Sequence, residues 1–455
     1  MSRSTLSLSK VLVTGALAVL GGVMAGQITG RGNTAHAGDE SAAAATYQIG
    51  SALPGLSPQL VQLFMNGQAV FNKNFTAAEG LGPIYNEVSC VTCHGAGAPG
   101  GGDPLGPGAT SFNVTHFAFD NQGFFDPIRD LGGLVIQKKT IRDTSHPNCT
   151  IPGEQVPSVA NVVSTRNSPP VFGFGLLDAI PDSEILKRQT MNIDGVNGFA
   201  NWGMELQAVE VEPVPGIPLP AYGPSRVGRF GWKSQTATLF QFSAEPFNIE
   251  LGVSSPFFPQ EFTPQGMRFA AQLPATCNVA DHAVNDFDNS MSVALYHFQA
   301  LLAPPPVLPK NDAAKLGEKT FHKIGCENCH ASELRTGERY NLLLASGTTV
   351  RVRQLENRVV NAYSDLLLHD MGANLADDPS GSTMGRVMGR ADGRHWRTTP
   401  LWGIRFKKAL LHDGRTADMA TAILEHGGEA TNARNRFAAL TADEKNQLVA
   451  FLNTL

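Results

Sequence analysis

Apolar and polar positions predict helices near both ends of the chain. Ser57 followed by Pro58 is typical of a helix start, and the segment Gly-Gln-Ala-Val-Phe at residues 67–71 lies within the helix that would follow. Near the C-terminus, Thr441 and Glu444 have the spacing of a capping box. The apolar residues after this box are spaced as on one helical face: Leu448, Val449, Phe451 and Leu452.

An uninterrupted run of apolar and small residues fills positions 11–25. Positive charges precede it at Arg3 and Lys10, and an Ala-x-Ala sequence ends at Ala37, just before the first acid, Asp39. This order is typical of a secretory signal peptide. We therefore expect residues 1–37 to be a signal peptide and the protein to be exported to the periplasm. The alternative is an uncleaved membrane anchor, which would place the protein on a membrane.

The length of 455 residues favours two domains. Glycine and proline, with 47 and 29 residues, predict long loops around a modest amount of regular structure. The net charge of −5 gives no electrostatic reason to expect nucleic acid or an anionic membrane as a partner.

Four of the six cysteines occur in two copies of Cys-x-x-Cys-His, which is the attachment signal of c-type haem. The two thiols form thioethers with the haem vinyl groups, and the adjacent histidine is the proximal iron ligand. In an exported chain, two copies predict two covalently bound haem c groups. The attachment residues are Cys90, Cys93 and His94 in the first copy, and Cys326, Cys329 and His330 in the second.

Three other interpretations of Cys-x-x-Cys compete with haem attachment. A dithiol redox motif belongs in a βαβ context, which neither copy has. Zinc needs four ligands, and neither copy has a second Cys/His pair at finger spacing. A disulfide between cysteines so close in sequence is strained. The remaining cysteines, Cys149 and Cys277, suit a disulfide in an oxidising compartment, with two buried free thiols as the alternative.

Two segments of the chain occur twice. Gly-x-x-x-Phe precedes each haem motif, at residues 67–71 and 317–321, and Pro-x-aromatic-Gly follows each motif, within residues 168–173 and 398–403. This self-similarity indicates duplicated modules. A stiff proline run at residues 304–306 is the predicted boundary between them.

We therefore predict a mainly α fold, with two cytochrome c-like haem modules and long irregular loops and insertions. After the signal peptide, the N-terminal haem domain would span residues 38–303 and the C-terminal haem domain residues 304–455. Residues 95–161 are too rich in glycine and proline for an assignment. They would either shield a haem edge or hold a few short strands.

Several sequence blocks outside the haem motifs are distinctive. They occupy residues 80–83, 89–95, 173–182, 229–233, 365–372, 396–403, 411–415 and 422–430. In these blocks the chain resembles the bacterial di-haem oxidoreductases of the peroxidase type, distant relatives of the di-haem cytochrome c peroxidases and of MauG. The similarity runs from about Leu56 to Leu455. It implies one electron-transfer haem and one reactive haem.

The sixth iron ligand of each haem decides between electron transfer and catalysis. For the C-terminal haem, the resemblance places His426 where peroxidase relatives have a distal methionine. Met371 and His369 are the rival ligands. For His412 we expect a hydrogen bond to a haem propionate or to a loop carbonyl.

The N-terminal haem has a different set of candidates. Pro246 aligns with His426 in the internal repeat, and since proline cannot bind iron, this haem would be open to a small ligand. The resemblance makes Glu250 the counterpart of a glutamate that lies over the reactive haem, with Gln241 and Trp232 as further catalytic candidates. A carboxyl group with a raised pKa could move a proton during O–O cleavage. A solvated loop acid and a core tryptophan are the alternatives for Glu250 and Trp232.

Two functions follow. The first is a periplasmic di-haem peroxidase, or a peroxide-driven oxidase, with hydrogen peroxide or another small oxidant as substrate. A small redox protein would be its electron donor or acceptor. The alternative is a di-haem electron-transfer cytochrome in which both irons have two protein ligands. The sequence leaves open whether calcium binds between the modules.

Overall fold

The structure is a computed structural model. It describes residues 47–108, 112–121, 124–128, 131–132, 135–189, 191–207, 221–259, 263–266, 273–279, 291–378 and 385–455. The predicted signal peptide, residues 1–37, lies outside the described residues. The chain divides into two units, Met1–Ser41 and Ala42–Leu455, and every residue described below belongs to the second.

The described residues form ten α-helices and thirteen strands. The α-helices are α1 Pro58–Asn72, α2 Cys90–Cys93, α3 Phe174–Asp178, α4 Asp182–Gln189, α5 Leu239–Leu251, α6 Met291–Leu301, α7 Asp312–Lys323, α8 Met419–Leu424, α9 Thr431–Ala438 and α10 Ala442–Leu452. The strands are β1 Ile84–Tyr85, β2 Asn113–Asn121, β3 Phe124–Asp126, β4 Lys139–Thr140, β5 Val162–Asn167, β6 Trp202–Gln207, β7 Ala221–Val227, β8 Leu334–Arg335, β9 Asn341–Leu343, β10 Thr349–Arg351, β11 Val359–Val360, β12 Leu368–Asp370 and β13 His395–Arg397.

The prediction of a mainly α fold is wrong. The protein is 34% helical and 16% strand, with several small antiparallel sheets. Many of the strands are only two or three residues long. Such short strands have no room for a period-two alternation of apolar and polar residues, so the sequence pattern did not reveal them. Residues 95–161 do hold short strands, one of the two predicted alternatives: β2 pairs with β3 and with β5 in a three-stranded sheet.

The predicted helix starts are confirmed. The hydroxyl of Ser57 accepts a hydrogen bond from the backbone N–H of Leu60 at the start of α1. At α10, Thr441 and Glu444 form the expected capping box. The buried side chains of α10 are Leu448, Phe451 and Leu452.

The repeated Gly-x-x-x-Phe segments mark two equivalent helix crossings. A Cβ atom at Gly67 would lie 2.1 Å from the carbonyl oxygen of Ala294 in α6, and one at Gly317 would lie 1.9 Å from that of Gln447 in α10. Only glycine allows the backbones to approach so closely. The phenylalanine of each segment, Phe71 or Phe321, is then buried one turn further on.

Buried apolar side chains form two clusters. The larger includes residues from Leu53 to Trp402 and therefore draws on both predicted haem domains. The smaller packs α7 against α10 around Phe321 and Phe451. The domain boundary at residues 304–306 stays a prediction. No helix in the described part of the chain is long and apolar enough to cross a membrane.

A disulfide joins Cys149 and Cys277, and both cysteines are fully buried. This confirms the predicted pairing over the alternative of two free thiols. The bond ties the segment after β4 to the segment before α6, and so anchors the long insertion to the rest of the first half.

Candidate haem sites

The first Cys-x-x-Cys-His motif forms a single turn of helix, α2, whose first and last residues are Cys90 and Cys93. His94 follows directly, and its Nδ1 lies 2.8 Å from the carbonyl oxygen of Pro169. Burial lowers the pKa of His94, so the ring is neutral at pH 7 and donates from Nδ1. That bond fixes the ring so that Nε2 is the nitrogen that would bind an iron ion, although the backbone of Gly101 also acts on this ring.

The second motif repeats this geometry on a different partner. Nδ1 of His330 lies 2.9 Å from the carbonyl oxygen of Tyr363, and burial lowers the pKa of His330 to about 4. Tyr363 packs edge-on against Phe321, the phenylalanine of the second repeated segment. Phe71 of the first segment lies 6.4 Å from the ring of His94. The helix crossings therefore place one aromatic ring near each motif.

The four motif cysteines are unpaired thiols. Burial raises the pKa of both Cys90 and Cys326 to about 12, so neither is the reactive thiolate that a dithiol redox motif requires. No cluster of three or more His, Cys, Asp or Glu suited to a metal ion occurs among the described residues, which disfavours the zinc interpretation there. Two free thiols beside an imidazole with a free Nε2 fit a haem group.

A cavity adjoins the second motif. Its walls include both motif cysteines, His330 and the predicted ligands His426 and Met371. Nδ1 of His426 lies 2.7 Å from the carbonyl oxygen of Ala422, one turn earlier along the chain. As for His330, this bond leaves Nε2 free. The site thus brings together two histidines with equivalent free nitrogens, and Met371 stays a rival because it lines the same cavity.

His369 is placed differently, although it also lines this cavity. Its Nε2 lies 2.9 Å from Asp365 Oδ2 and its Nδ1 lies 2.9 Å from Glu429 Oε2. Burial alone would lower the pKa of His369, but the adjacent carboxylates raise it well above its usual value. A protonated ring with both nitrogens donating to carboxylates has no lone pair for iron, which disfavours His369 as a ligand. Neither carboxylate partner was predicted from the sequence, although both lie in its distinctive blocks, at residues 365–372 and 422–430.

The internal repeat extends to the loop and helix that precede His426. An isolated antiparallel bridge joins Phe230 to Thr236, and the equivalent bridge joins Leu410 to Thr416. In each copy a helix begins two residues later, with its N-cap at Thr238 for α5 and at Asp418 for α8. Counted from these caps, Pro246 occupies the position of His426, and Trp232 that of His412.

His412 and Trp232 both form hydrogen bonds with the backbone of Asn167. The backbone N–H of Asn167 donates to the carbonyl oxygen of His412, and the indole Nε1 of Trp232 donates to the carbonyl oxygen of Asn167. The ring of His412 stacks on Trp396 at 3.8 Å. The predicted hydrogen bond of the His412 side chain to a haem propionate or a loop carbonyl stays a prediction, and His412 lines the cavity.

Glu250 lies near the end of α5, close to the first motif. Its Oε2 accepts a hydrogen bond from Nδ2 of Asn86 at 2.8 Å. Burial raises the pKa of Glu250 to about 7, while the bond from Asn86 and the charge of Lys138 act in the opposite direction. The charge of this carboxylate also acts on the thiols of Cys90 and Cys93, which lie near enough to be affected. The carboxyl group of Glu250 therefore has a pKa close to neutral pH and lies near the first motif.

Asn86 is a site residue that the sequence interpretation missed, because it belongs to no motif. Its Oδ1 accepts from the backbone N–H of Lys138 at 3.3 Å, so its amide nitrogen must face Glu250. The backbone N–H of Asn86 also donates to the carbonyl oxygen of Glu250. Two bonds from one residue therefore hold the position and orientation of the carboxylate.

Gly252 shows why a glycine follows this glutamate. It caps α5 with φ of 68°. A Cβ atom there would lie 2.4 Å from the carbonyl oxygen of Ile84. The close approach lets Gly82 donate its N–H to the carbonyl oxygen of Leu251, which locks the end of α5 onto the loop that carries Asn86.

The two other catalytic candidates are separated. Gln241 lies nine residues before Glu250 in α5, and at about 100° per residue these positions point to opposite sides of a helix. The side-chain oxygen of Gln241 is buried and has no hydrogen-bond partner among the residues that the structure describes. Trp232 lines the cavity of the second motif instead.

Replacing Asn86 with leucine should raise the pKa of Glu250 above about 7, because the lost hydrogen bond stabilises the ionised carboxylate. The carboxyl group would then stay protonated to higher pH. Infrared difference spectra of the protonated carboxyl band across pH measure this, with Glu250→Gln identifying the band. Asn361→Leu, which removes an exposed bond to Ser332, is the control. An unchanged midpoint in Asn86→Leu would contradict this role of Asn86.

Comparisons with known proteins agree with the sequence resemblance. No curated protein matches the chain. Among solved structures, hydrazine synthase of Kuenenia stuttgartiensis is 14% identical, with a TM-score of 0.37 over 96% of this chain and 100% of that chain. A MauG-like protein associated with microbial copper homeostasis is 17% identical, with a TM-score of 0.31 over 63% of this chain and 89% of that chain. Both TM-scores are too low to support an argument about fold or function.

A family model is more informative. The family described as "Di-haem oxidoreductase, putative peroxidase" matches residues 156–455, which is more than half of the chain. The matched range contains the second haem motif, and the first precedes it. This match confirms the resemblance, and with it haem as the cofactor: the chain belongs to the di-haem oxidoreductase family.

Proposed function

We propose that the protein is an exported di-haem c-type oxidoreductase that reduces hydrogen peroxide, or uses it to oxidise a partner. The observation that carries this proposal is the difference between two equivalent sites. One repeat has His426 with a free Nε2 beside its haem motif. The other has Pro246 at the same position and, nearby, a carboxyl group whose pKa is about 7. One haem would then transfer electrons and the other would react.

The attachment residues follow from the two motifs. Cys90 and Cys93 would hold the reactive haem, and Cys326 and Cys329 the electron-transfer haem. His94 and His330 would be the proximal ligands through Nε2, since Nδ1 of each bonds a backbone carbonyl. When bound, haem iron supplies one-electron redox chemistry and, where a coordination position is open, a binding place for a small oxidant. His426 would complete the second site, with Met371 as its rival.

Glu250 would act as the general acid–base group. Reduction of one hydrogen peroxide molecule to two waters consumes two electrons and two protons. The carboxylate of Glu250, through Oε1 or Oε2, would take a proton from one peroxide oxygen and return it to the other as the O–O bond breaks. A pKa near 7 suits both steps at neutral pH. Asn86 holds the carboxylate in one orientation, so Glu250 acts from a fixed position.

Trp232 would lie on the electron path between the sites. Its indole faces the cavity of the second motif, and its Nε1 donates to the carbonyl oxygen of Asn167 at 2.9 Å. Two residues further along the chain, Pro169 accepts the hydrogen bond of His94. A short route of covalent and hydrogen bonds therefore links the second cavity to the proximal histidine of the first site.

The cellular setting follows from the chain's cysteines and its N-terminus. The sequence of residues 1–37 fits a signal peptide, and a disulfide between Cys149 and Cys277 suits the oxidising periplasm. A small redox protein would be the electron donor or acceptor. Calcium binding stays a prediction without a supporting site among the described residues.

The purified protein should carry two covalent haems after expression with haem-maturation machinery. Denaturing mass spectrometry measures this directly, on a chain that starts near Gly38. Replacing both Cys326 and Cys329 with alanine should remove one haem and leave the other, because the two motifs bind independently. Replacing Cys149 and Cys277 with alanine is the control, and it should leave both haems. A wild-type mass equal to the bare polypeptide would contradict the proposal.

His426→Ala should convert the low-spin signal of the haem at Cys326 and Cys329 to high-spin. The haem at Cys90 and Cys93 should stay largely unchanged, since only one iron would lose a ligand. Electronic spectra of the oxidised protein measure the change. His146→Ala, which replaces an exposed histidine, should have no effect. If His426→Ala leaves the spectra intact while Met371→Leu alters them, Met371 is the ligand instead.

Glu250→Gln should slow the reaction with hydrogen peroxide by about 10²–10⁴-fold, the usual contribution of a general acid–base group. Haem content should not change, because the substitution keeps the size of the side chain. Stopped-flow spectra of oxidised and half-reduced protein measure the rate. Glu245→Gln, at another position on the same helix, is the matched control. A wild-type protein that never reacts with peroxide would favour the electron-transfer cytochrome.

A further inference from the structure

Two cations in the wall of the second cavity form no ion pair with an acidic residue in the described part of the chain. Arg397 and Lys407 both line the cavity, and Arg397 is only 5% exposed. The guanidinium of Arg397 donates from Nε to the carbonyl oxygen of Gly231 at 2.9 Å, and more weakly from one terminal nitrogen to that of Thr398 at 3.4 Å. No carboxylate among the described residues forms an ion pair with either cation.

Neighbouring buried cations are compensated. Arg166 and Lys233 lie within 2.7 and 3.4 Å of the carboxylate of Asp377. Arg434, another cation of the cavity wall, also has no carboxylate partner among the described residues, but it bonds the side chain of Asn435 in an exposed contact. Arg397 differs from all three because it is buried and has no carboxylate partner in the described part of the chain.

This arrangement is unfavourable in the protein alone. Burial lowers the pKa of Lys407 to about 8, and the charge of Arg397 lowers it further in the same direction. The charge of Asp365 acts on Arg397 and raises its pKa, but this carboxylate is already bonded to His369. Buried charges in proteins are normally paired, so an anion is expected to face these two cations when the cavity is filled.

We propose that Arg397 and Lys407 bind the two propionate carboxylates of the haem held at Cys326 and Cys329. This rests on the proposed haem attachment. A haem carries two carboxylates on one edge, and the cavity wall offers two cations. The planar guanidinium of Arg397 suits a forked contact with one carboxylate, and the ammonium of Lys407 acts as a point charge for the other.

The proposal also orients the haem. The ammonium of Lys407 lies 5.8 Å from the centre of the Trp232 ring. Carboxylates bound at this end of the cavity would turn the propionate edge of the haem towards Trp232, the residue on the proposed electron path. Two positive charges at that edge would also favour the reduced haem and raise its reduction potential.

Lys407→Gln in the two-haem protein tests the assignment, because the side-chain ammonium of Lys407 forms no hydrogen bond with any other described residue. We expect a lower potential for the low-spin haem, with the equilibrium constant for its reduction falling at least tenfold, or about 59 mV for one electron. Resonance Raman bands of propionate bending should shift in the same variant. Lys408→Gln, the same charge change at the exposed next residue, should leave both unchanged.

Arg397→Lys provides a second variant that keeps the charge and removes the fork. It should shift the propionate bands while leaving the potential closer to that of the wild type. Unchanged potential and bands in Lys407→Gln would overturn the proposal, as would a wild-type potential that follows added inorganic phosphate while the propionate bands stay constant. A wild-type mass spectrum without haem at Cys326 and Cys329 would instead overturn the proposed function on which the inference rests.

Discussion

Each Cys-x-x-Cys-His histidine donates its Nδ1 proton to a backbone carbonyl, and much of the structure serves to bring that carbonyl into place. The acceptors are remote in sequence: Pro169 is 75 residues from His94, and Tyr363 is 33 residues from His330. A motif of five residues can specify the thiols and the imidazole, but only the folded chain can fix the ring and direct Nε2. Burial supports the same outcome, because it lowers the pKa of both histidines and keeps them neutral.

The segment that supplies the carbonyl acceptor of His94 also links the two sites. The strand β5 ends at Asn167, two residues before Pro169, and Asn167 bonds both members of an equivalent pair of positions, Trp232 and His412. A single segment thus supports the first histidine and joins the two repeated loops. The repeats keep the same bridge and helix start, yet they differ at one position, where proline replaces histidine. Two repeats with the same backbone geometry and a different side chain at one position would give two haems with unequal reactivity.

The sequence predicted the parts of the fold that depend on local chemistry. Helix caps at Ser57 and Thr441 and the repeated Gly-x-x-x-Phe segments have direct structural counterparts, because each depends on residue type at fixed spacing. The disulfide was predictable for a different reason: Cys149 and Cys277 are the two cysteines of the chain outside the haem motifs. The mainly α prediction failed in part because strands of two or three residues form only through tertiary pairing, and it also missed the longer strands β2, β5, β6 and β7. The partners of Glu250 and His369 were equally inaccessible: Asn86 and Glu429 approach them across 164 and 60 residues.

The central claim is that the two haems are unequal because His426 and Pro246 occupy equivalent positions. An EPR spectrum of the oxidised wild-type protein tests it most directly. The account predicts one low-spin and one high-spin ferric haem in equal amounts, with the high-spin signal changed by added hydrogen peroxide and the low-spin ligand field retained. Two low-spin signals, both insensitive to peroxide, would contradict it, because both irons would then have two protein ligands.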